Sequence, residues 1–271
     1  MDFLKTMYDV PTKQPANVYC ENVIWVKHYT DKLFGFCITR PKGFRFRSGE
    51  FVMLGLTING KRIFRAYSIA SSCWDDKLEF FSIKVENGSL TTHLQNIQCG
   101  DVILLNKKST GTLVLDALIP GKRLYLFSTG TGIAPFASVI RDPETYEKFN
   151  EVIVTHTCRK VSELQYGIDV IRGISQNDIF KELVGQKLKY YTTVTQEDYL
   201  YKGRITDQIL SGEFYRNMDL SPLNPDTDRV MICGSPSIIV NMKNLLITQK
   251  FREGSHSRAG TFVIERAFSL K

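Results

Sequence analysis

The sequence lacks the cysteine and histidine clusters of a metal site or a disulfide framework. Its six cysteines and four histidines are scattered over 271 residues, and no two cysteines have CxxC spacing. Zinc sites and disulfide-stapled scaffolds need such clusters. We therefore predict no bound metal, and we expect most of the cysteines to be small buried apolar side chains.

Long apolar runs are also missing. No stretch approaches the roughly 18 apolar residues that cross a bilayer, and the N-terminus places Asp2 and Lys5 where a secretory signal has its apolar core. These absences predict a cytoplasmic protein. Hydrophobic residues make up 43 % of the chain and charged residues 23 %, which excludes a disordered or collagen-like chain. The length suits two domains.

The excess of positive charge is modest, at +7, and unevenly placed. Several cations precede Glu50 in the first part of the chain, namely Lys32, Arg40, Lys42, Arg45 and Arg47. RNP and zinc-finger motifs and long Lys/Arg runs are missing, so nucleic acid is only one of the possible targets. Phosphate-bearing cofactors, an acidic protein partner and a merely solvated surface remain open at this point.

The pattern of short apolar runs changes near residue 120. Up to residue 118, runs rich in β-branched and aromatic residues recur about every ten residues, which predicts an antiparallel barrel or sandwich. The predicted strands lie at 18–29, 33–39, 51–57, 64–70, 78–85, 102–106 and 111–115, with one helical insert at 89–96. Beyond residue 120, strands at 124–128, 151–157, 188–194, 229–233 and 261–265 alternate with helices. One helix runs through residue 141, and the others lie at 161–174, 205–211 and 237–250. This alternation predicts a doubly wound parallel sheet with ligands outside the carboxyl ends of its strands.

Two segments of the first half suit a phosphate-bearing, flat ligand. Residues 65–68 read RAYS, and a guanidinium, a phenol ring and a hydroxyl can bind a phosphate, stack on a heterocycle and contact its edge. The alternative is a solvent-facing Arg65 and a packed Tyr67. Residues 88–94 form a glycine turn into a helix with Thr91 and Thr92 in its first turn, which is typical of an anion site. An ordinary N-cap by Ser89 is the alternative.

Three strand ends of the second half carry further candidates. Residues 128–135 read STGTGIAP, where Gly130 and Gly132 would allow close approach to a pyrophosphate. Arg159 follows the next strand, where it could bind a 2′-phosphate or simply lie on a loop. Cys233 ends a later strand, and its surroundings match no cysteine-nucleophile signature. It either lines a nucleotide pocket or belongs to the core.

Together these residues resemble the ferredoxin/flavodoxin–NADP(+) reductases, specifically the bacterial subgroup. Residues 65–68 are similar to that family's RxYS flavin motif, and 81–85 with 88–92 to its flavin-cradling strand and pyrophosphate helix. Residues 128–135, 155–159 and 233–235 follow its pyridine-nucleotide segments in order, and 264–268 (IERAF) resemble the tail of the bacterial subgroup. The resemblance implies a Greek-key, FAD-binding β-barrel at 1–118. It also implies a doubly wound α/β domain at 119–271 that binds NADP(H), with a C-terminal tail covering the flavin.

The resemblance also assigns roles to individual residues. Ser68, Cys233 and Glu265 would be the catalytic group, as positioning and polarity residues near the flavin ring. The implied FAD contacts are Arg65, Ala66, Tyr67, Ser68, Ile83, Lys84, Val85, Leu90, Thr91, Thr92, Ala267 and Phe268. The implied NADP contacts are Thr129, Gly130, Thr131, Gly132, Thr157, Arg159, Arg204, Cys233 and Gly234.

The activity implied by the resemblance is electron transfer between NADP(H) and a one-electron carrier, ferredoxin or flavodoxin. It would proceed by hydride transfer to flavin N5 and single-electron release. A flavin reductase or an oxygenase reductase component is the enzymatic alternative, and a binding module without turnover is the other. We expect a monomer, with Arg40, Lys42, Arg45 and Arg47 steering an acidic carrier.

This chain departs from the family pattern at two places. Residues 88–92 read GSLTT where the family usually has GPLTS, a change that keeps the hydroxyl chemistry. Gln196 stands where relatives commonly carry arginine. Loss of one phosphate-binding cation could reduce the preference for NADP over NAD by about 1–3 kcal/mol.

Overall fold

The N-terminal part of the chain forms one antiparallel sheet of six strands, closed into a barrel. The computed structural model describes residues 17–85 and 88–266. The strand order is β4-β3-β6-β1-β2-β5, so β6 returns to lie between β3 and β1 in a Greek-key connection. An antiparallel bridge between Ile69 and Phe80 joins the end of β4 to β5 and closes the sheet. The strands are β1 Val18–His28, β2 Leu33–Thr39, β3 Phe51–Ile58, β4 Lys61–Ser68, β5 Lys77–Ile83 and β6 Val102–Thr110.

Alternating side chains fill the barrel. Along β3, Val52, Leu54 and Leu56 are buried, as period-2 alternation of a half-buried strand requires. Phe36 and Phe80 from β2 and β5 stack with ring centroids 5.3 Å apart. The four-residue helix α1, Thr91–Leu94, is shorter than the predicted insert and packs Leu94 into this core.

The second sheet contains five parallel strands in the order β11-β10-β7-β8-β9. Parallel neighbours require crossovers, and the helices supply them. The strands are β7 Arg123–Thr129, β8 Glu151–Cys158, β9 Leu188–Val194, β10 Asp228–Gly234 and β11 Phe262–Arg266. The helices are α2 Ile133–Ile140, α3 Pro143–Lys148, α4 Gln165–Gln176, α5 Asp178–Val184, α6 Ile205–Leu210, α7 Glu213–Met218 and α8 Pro236–Thr248.

The predicted fold class is confirmed, but one of the predicted strands is not. The strand expected at 111–115 is wrong, because Gly111 has a φ of +149° and the chain leaves the sheet there to contact β11. A 3-10 turn, Leu115–Ala117, follows instead. The predicted tail residues Ala267 and Phe268 lie outside the described residues. The domain boundary between residues 118 and 119 stays a prediction.

The barrel and the parallel sheet meet in a packed joint. Phe81 of β5 stacks on Tyr166 of α4 with ring centroids 4.0 Å apart and planes 6° apart. The Tyr166 hydroxyl donates to Glu79 at 2.9 Å, and Glu79 forms an ion pair with Arg141 at 2.8 Å. The joint therefore fixes the barrel against the parallel sheet. Among the described residues, no helix is both long and apolar enough to span a bilayer.

Candidate active site

The two barrel segments predicted to bind phosphate meet in the structure. Arg65 is exposed on β4, and its Nη2 donates to the Ser89 hydroxyl at 2.8 Å. Ser89 does not cap α1, because the N-cap residue is Leu90 and no side chain bonds there. The N-cap interpretation of Ser89 is therefore wrong. The serine instead links the guanidinium to the turn that precedes the helix.

The turn before α1 offers backbone donors. Within residues 17–85 and 88–266, the N–H groups of Ser89, Leu90 and Thr91 donate to no acceptor. The Thr91 hydroxyl donates to the Val85 carbonyl at 3.3 Å, and the Thr92 hydroxyl to the Gly88 carbonyl at 2.7 Å. Phosphate oxygens need donors. As placed, the segment therefore offers them from its backbone and from Arg65 rather than from the threonine hydroxyls.

Residues 65–68 lie on β4 as strand alternation requires. Arg65 and Tyr67 pair with Leu54 and Val52 of the neighbouring strand β3 and share one side of the sheet. Ser68 lies on the other side. Tyr67 is 6 % exposed, and burial raises its pKa to about 12. Most of its ring is therefore covered by the barrel core, and only a small part is open to a ligand.

The remaining predicted FAD residues of the barrel frame the same region. Ala66 is exposed, and Ser68 and Ile83 are half-buried. The Lys84 N–H donates to the Lys32 carbonyl at 2.7 Å. Leu90 is 1 % exposed and anchors the turn in the barrel core. Together with the bond from Arg65 to Ser89, these contacts hold Lys84, Ser89 and Leu90 against the barrel.

The glycine turn after β7 has one open position. Gly130 has a φ of +53°, and a Cβ built there would meet nothing within 4 Å. Gly132 is different, because its Cβ would lie 2.3 Å from the Cys233 carbonyl oxygen. A Cβ on Gly234 would lie 2.2 Å from Thr129 Oγ1. Gly132 and Gly234 therefore let the turns after β7 and β10 pack together, and Gly130 alone leaves space for a ligand.

Polar side chains complete these two turns. The Thr129 hydroxyl oxygen accepts the Ser235 N–H at 2.9 Å, which joins the turns directly. Thr131 is 9 % exposed at the centre of the turn Gly130–Gly132. Thr157, at the end of β8, shares a hydrogen bond of 2.8 Å with the Thr193 hydroxyl. Its hydroxyl is thus already engaged within the sheet edge.

Basic side chains gather beyond the ends of β8 and β9. Arg159 is exposed, and its carbonyl accepts the Gln196 N–H at 2.9 Å, which places these two residues side by side. The Gly203 N–H bonds back to Val194 at 2.9 Å, so the exposed Arg204 returns to the same edge. Arg159 and Arg204 come from separate loops of the sequence, and the fold brings both loops to the edge beyond β8 and β9.

Cys233 and Glu265 are neighbours across β10 and β11. Burial raises the pKa of the Cys233 thiol well above its ordinary value, so the thiol is protonated and a poor nucleophile. Burial also raises the pKa of Glu265 to about 7, with Glu50 adding to the rise. Glu265 Oε2 accepts the Thr112 N–H at 3.0 Å.

Ser68 is linked by strand pairing to the junction where Thr112 of the barrel domain contacts Glu265 of β11. It pairs with Phe51, which pairs with Thr110 at the end of β6. Two residues further on, Thr112 contacts Glu265, and its hydroxyl donates to the Ile264 carbonyl at 2.9 Å. Strand pairing therefore connects Ser68 to the pair Cys233 and Glu265. Thr112 was missed by the sequence reasoning, because no motif marks a threonine after a strand as an interdomain donor.

Three of the four predicted steering cations are engaged with the protein itself. Arg40 donates to the carbonyls of Phe44 and Cys73 at 3.0 and 2.8 Å. Arg45 donates to the Lys42 carbonyl at 2.7 Å, and Arg47 forms an ion pair with Asp116 at 3.2 Å. Of the four, only the exposed Lys42 has no side-chain hydrogen bond or ion pair with residues 17–85 and 88–266.

Two family models cover most of the described chain. Residues 26–113 match the oxidoreductase FAD-binding domain, and residues 126–244 match the oxidoreductase NAD-binding domain. The barrel with its phosphate-type donors and the parallel sheet with its glycine turn thus define a two-domain flavin- and pyridine-nucleotide-dependent oxidoreductase.

Individual relatives narrow the class. The chain is 52 % identical over 257 residues to the flavodoxin/ferredoxin–NADP reductase of Rhodobacter capsulatus, covering 94 % of this chain and 95 % of that protein. It is 47 % identical to the ferredoxin–NADP reductase of Pseudomonas aeruginosa, covering 94 % and 100 %. The structure of a ferredoxin NADP+ reductase from Neisseria gonorrhoeae with bound FAD and NADP matches with a TM-score of 0.84 and 29 % identity, covering 94 % and 100 %. The chain belongs to the ferredoxin/flavodoxin–NADP reductase family, which confirms the resemblance.

Proposed function

We propose that the chain is an FAD-dependent reductase that moves electrons between NADP(H) and ferredoxin or flavodoxin. The junction of Ser68, Cys233 and Glu265 carries the proposal, because it sets the barrel end against the carboxyl edge of the parallel sheet. Ligands of open parallel sheets bind at that edge. A flavin on the barrel and a nicotinamide at the sheet would therefore meet there.

The donor set of the barrel fits FAD. The Arg65 guanidinium and the N–H groups of Ser89, Leu90 and Thr91 suit its pyrophosphate. Ser68, Ile83, Lys84 and Val85 would follow the flavin edge and Tyr67 its ring, with Ala66 and Thr92 beside them. When bound, the flavin would accept a hydride and release single electrons.

The open side of Gly130 fits the pyrophosphate of NADP(H), and Arg159 and Arg204 fit its 2′-phosphate. Cys233 and Gly234 would border the nicotinamide. Burial keeps the Cys233 thiol protonated, so this residue shapes the site without attacking the substrate.

The substitution Gln196→Arg tests the 2′-phosphate assignment. Gln196 is exposed beside Arg159, so an added guanidinium would reach the same anion. We expect kcat/KM for NADPH relative to NADH to rise roughly tenfold. The matched control is Gln176→Arg, at the exposed last residue of α4. An unchanged ratio in Gln196→Arg would remove Gln196 and Arg159 from the 2′-phosphate site.

Spectroscopy tests the reductase assignment itself. The purified holoenzyme should be yellow and should bleach when NADPH is added without oxygen. Cytochrome reduction should then depend on added ferredoxin or flavodoxin. A colourless protein, or equal rates with free flavin in place of the carrier, would contradict the proposal and, in the second case, favour a flavin reductase.

An acidic carrier would dock on exposed lysines at the barrel end nearest Ser68. Lys107 and Lys108 lie in the last part of β6, whose end pairs with the start of β3. The Lys107 ammonium lies 5.1 Å from the Tyr19 ring centroid, and a Cβ on Gly43, next to Lys42, would lie 3.3 Å from the Tyr19 hydroxyl. Lys42 and Lys107 thus share one surface, and the exposed Lys108 follows Lys107 on β6.

Charge reversal tests this surface. We expect Lys107→Glu with Lys108→Glu to lower kcat/KM for the carrier roughly tenfold at low salt, since such charges mainly affect association. Reduction of ferricyanide by NADPH should not change. Lys122→Glu with Lys181→Glu, at two exposed lysines before β7 and on α5, gives the same change of charge elsewhere. An equal effect of both pairs would contradict the docking site. A cytoplasmic location and a monomeric state stay proposals.

A further inference from the structure

A chain of buried hydrogen bonds lies beneath the turn Gly130–Gly132. His156 of β8 is 1 % exposed, and its Nε2 lies 2.9 Å from the Gly130 carbonyl oxygen. Its Nδ1 lies 3.0 Å from the hydroxyl of Tyr190 on β9. These hydrogen bonds therefore connect the neighbouring strands β8 and β9 to one peptide of the turn after β7.

The partners determine which ring nitrogen carries the proton. A carbonyl oxygen only accepts, so Nε2 holds the hydrogen and donates it to Gly130. Nδ1 is then the acceptor for the Tyr190 hydroxyl. Burial lowers the pKa of His156 to about 4, which keeps the ring neutral at neutral pH. Cys158 Sγ also lies 3.2 Å from Nε2, and burial raises the pKa of its thiol.

The hydrogen bond from His156 fixes the orientation of the peptide between Gly130 and Thr131. The Gly130 carbonyl also accepts the Ile133 N–H of the 3-10 turn, so both of its lone pairs are used. In a trans peptide the C=O and N–H groups point in opposite directions. The Thr131 N–H therefore points away from His156, and the neighbouring Gly130 leaves open space at the turn.

Glycine alone would not hold this orientation. A flip of this peptide rotates ψ of Gly130, which glycine leaves free, together with φ of Thr131. A flipped peptide would present its carbonyl oxygen, which repels a phosphate, in place of the N–H. It would also break the hydrogen bonds from His156 and from the Ile133 N–H, so the buried imidazole helps to hold the peptide orientation that suits an anion.

We propose that His156 is a positioning residue for the pyrophosphate of NADP(H), which holds the Gly130 peptide so that the Thr131 N–H is presented as a donor. Tyr190 supports it by fixing the ring tautomer. This inference rests on the proposed function, because it takes the turn to be the site of the dinucleotide.

Gly167 of helix α4 leaves space for the hydrogen bond between Tyr190 and His156. A Cβ on Gly167 would lie 2.2 Å from the Tyr190 hydroxyl and 2.9 Å from His156 Nδ1. Gly173, in the same helix, faces open space. Alanine at 167 would disturb the chain of hydrogen bonds without changing any of its members, and alanine at 173 is the matched control.

Direct binding to the holoenzyme tests the proposal. Calorimetry would measure NADP+ and 2′-AMP, which lacks the pyrophosphate, with the wild type, His156→Leu and His156→Gln. We expect His156→Leu to weaken NADP+ binding roughly tenfold to hundredfold, the cost of losing a buried donor. Binding of 2′-AMP should stay within about twofold. The amide donor of His156→Gln should restore most of the NADP+ affinity.

The outcomes separate this inference from the proposed function. If the wild type does not bind NADP+, the proposed function fails. If the wild type binds but His156→Leu binds equally well, or loses both ligands alike, only the positioning role fails. Should His156→Leu not fold, Gly167→Ala and Gly173→Ala decide. The first should weaken NADP+ binding at least tenfold and the second should not, and equal effects would overturn the proposal.

Discussion

At the residue scale, the raised pKa of Glu265 makes the stability of the folded protein depend on pH. Its pKa rises from 4.5 to about 7 because the carboxyl is buried. The folded protein therefore binds this proton more tightly than the unfolded chain does. The resulting stabilisation is present below about pH 4.5 and is lost as the pH rises through 7.

We expect Glu265→Gln to flatten that part of the pH dependence. The neutral amide resembles the protonated acid and can still accept the Thr112 N–H. Between pH 5 and pH 8, the unfolding free energy of the wild type should fall by up to about 3 kcal/mol more than that of the variant. Urea unfolding at both pH values measures this. The control is Glu182→Gln, at an exposed carboxylate. Parallel pH profiles of Glu265→Gln and wild type would contradict the prediction.

The chemistry of single residues could be predicted where the type of side chain decided it. Arg65 was recognised as a phosphate-type cation, and it lies beside Ser89, in the turn before α1 whose N–H groups have no acceptor among the described residues. The exposure of Tyr67 could not be predicted, because it depends on the barrel core around the ring. The same limit applied to Arg40, because one of its carbonyl partners, Cys73, lies 33 residues away in the chain.

At the element scale, the two turns after β7 and β10 act as one unit. Gly132→Ala should place a methyl 2.3 Å from the Cys233 carbonyl oxygen, so strand ends must separate. We expect a loss of about 2–4 kcal/mol of unfolding free energy by urea titration. Gly130→Ala is the control, because its side is open and only its positive φ is penalised, by about 1 kcal/mol. Equal losses would show that the turns are not packed together.

The order of elements could be predicted better than the short helices. Every strand of the parallel sheet has a predicted counterpart, because continuous apolar runs between polar turns are distinctive. Helices α3, α5 and α7 were missed. Each has six or seven residues, fewer than two turns, so the helical period hardly repeats in the sequence. They pack beside longer elements that hold them in place.

At the scale of the whole molecule, the joint between barrel and parallel sheet is built from residues far apart in the chain. Glu79, Arg141 and Tyr166 carry no motif and were not anticipated. Local pattern cannot show that three distant side chains will share one contact. Their ion pair is about four-fifths buried on both sides, with exposures of 23 % and 18 %. Removing one partner of such a pair destabilises the protein, because the other charge stays buried without its counter-ion.

A double-mutant cycle on this joint should therefore show strong coupling. Glu79→Gln, Arg141→Gln and the double variant should give a coupling of about 1–3 kcal/mol in urea unfolding. The control is the pair Lys27 and Asp169. It also connects the barrel to the second domain, from β1 to α4, but its side chains are 55 % and 25 % exposed. Because water and salt screen it, its coupling should stay below about 1 kcal/mol and vanish at high salt. Equal couplings for the two pairs would mean that burial at Glu79 and Arg141 does not hold the barrel to the sheet. The alignment of Ser68 with Cys233 and Glu265 would then depend on the junction residues alone.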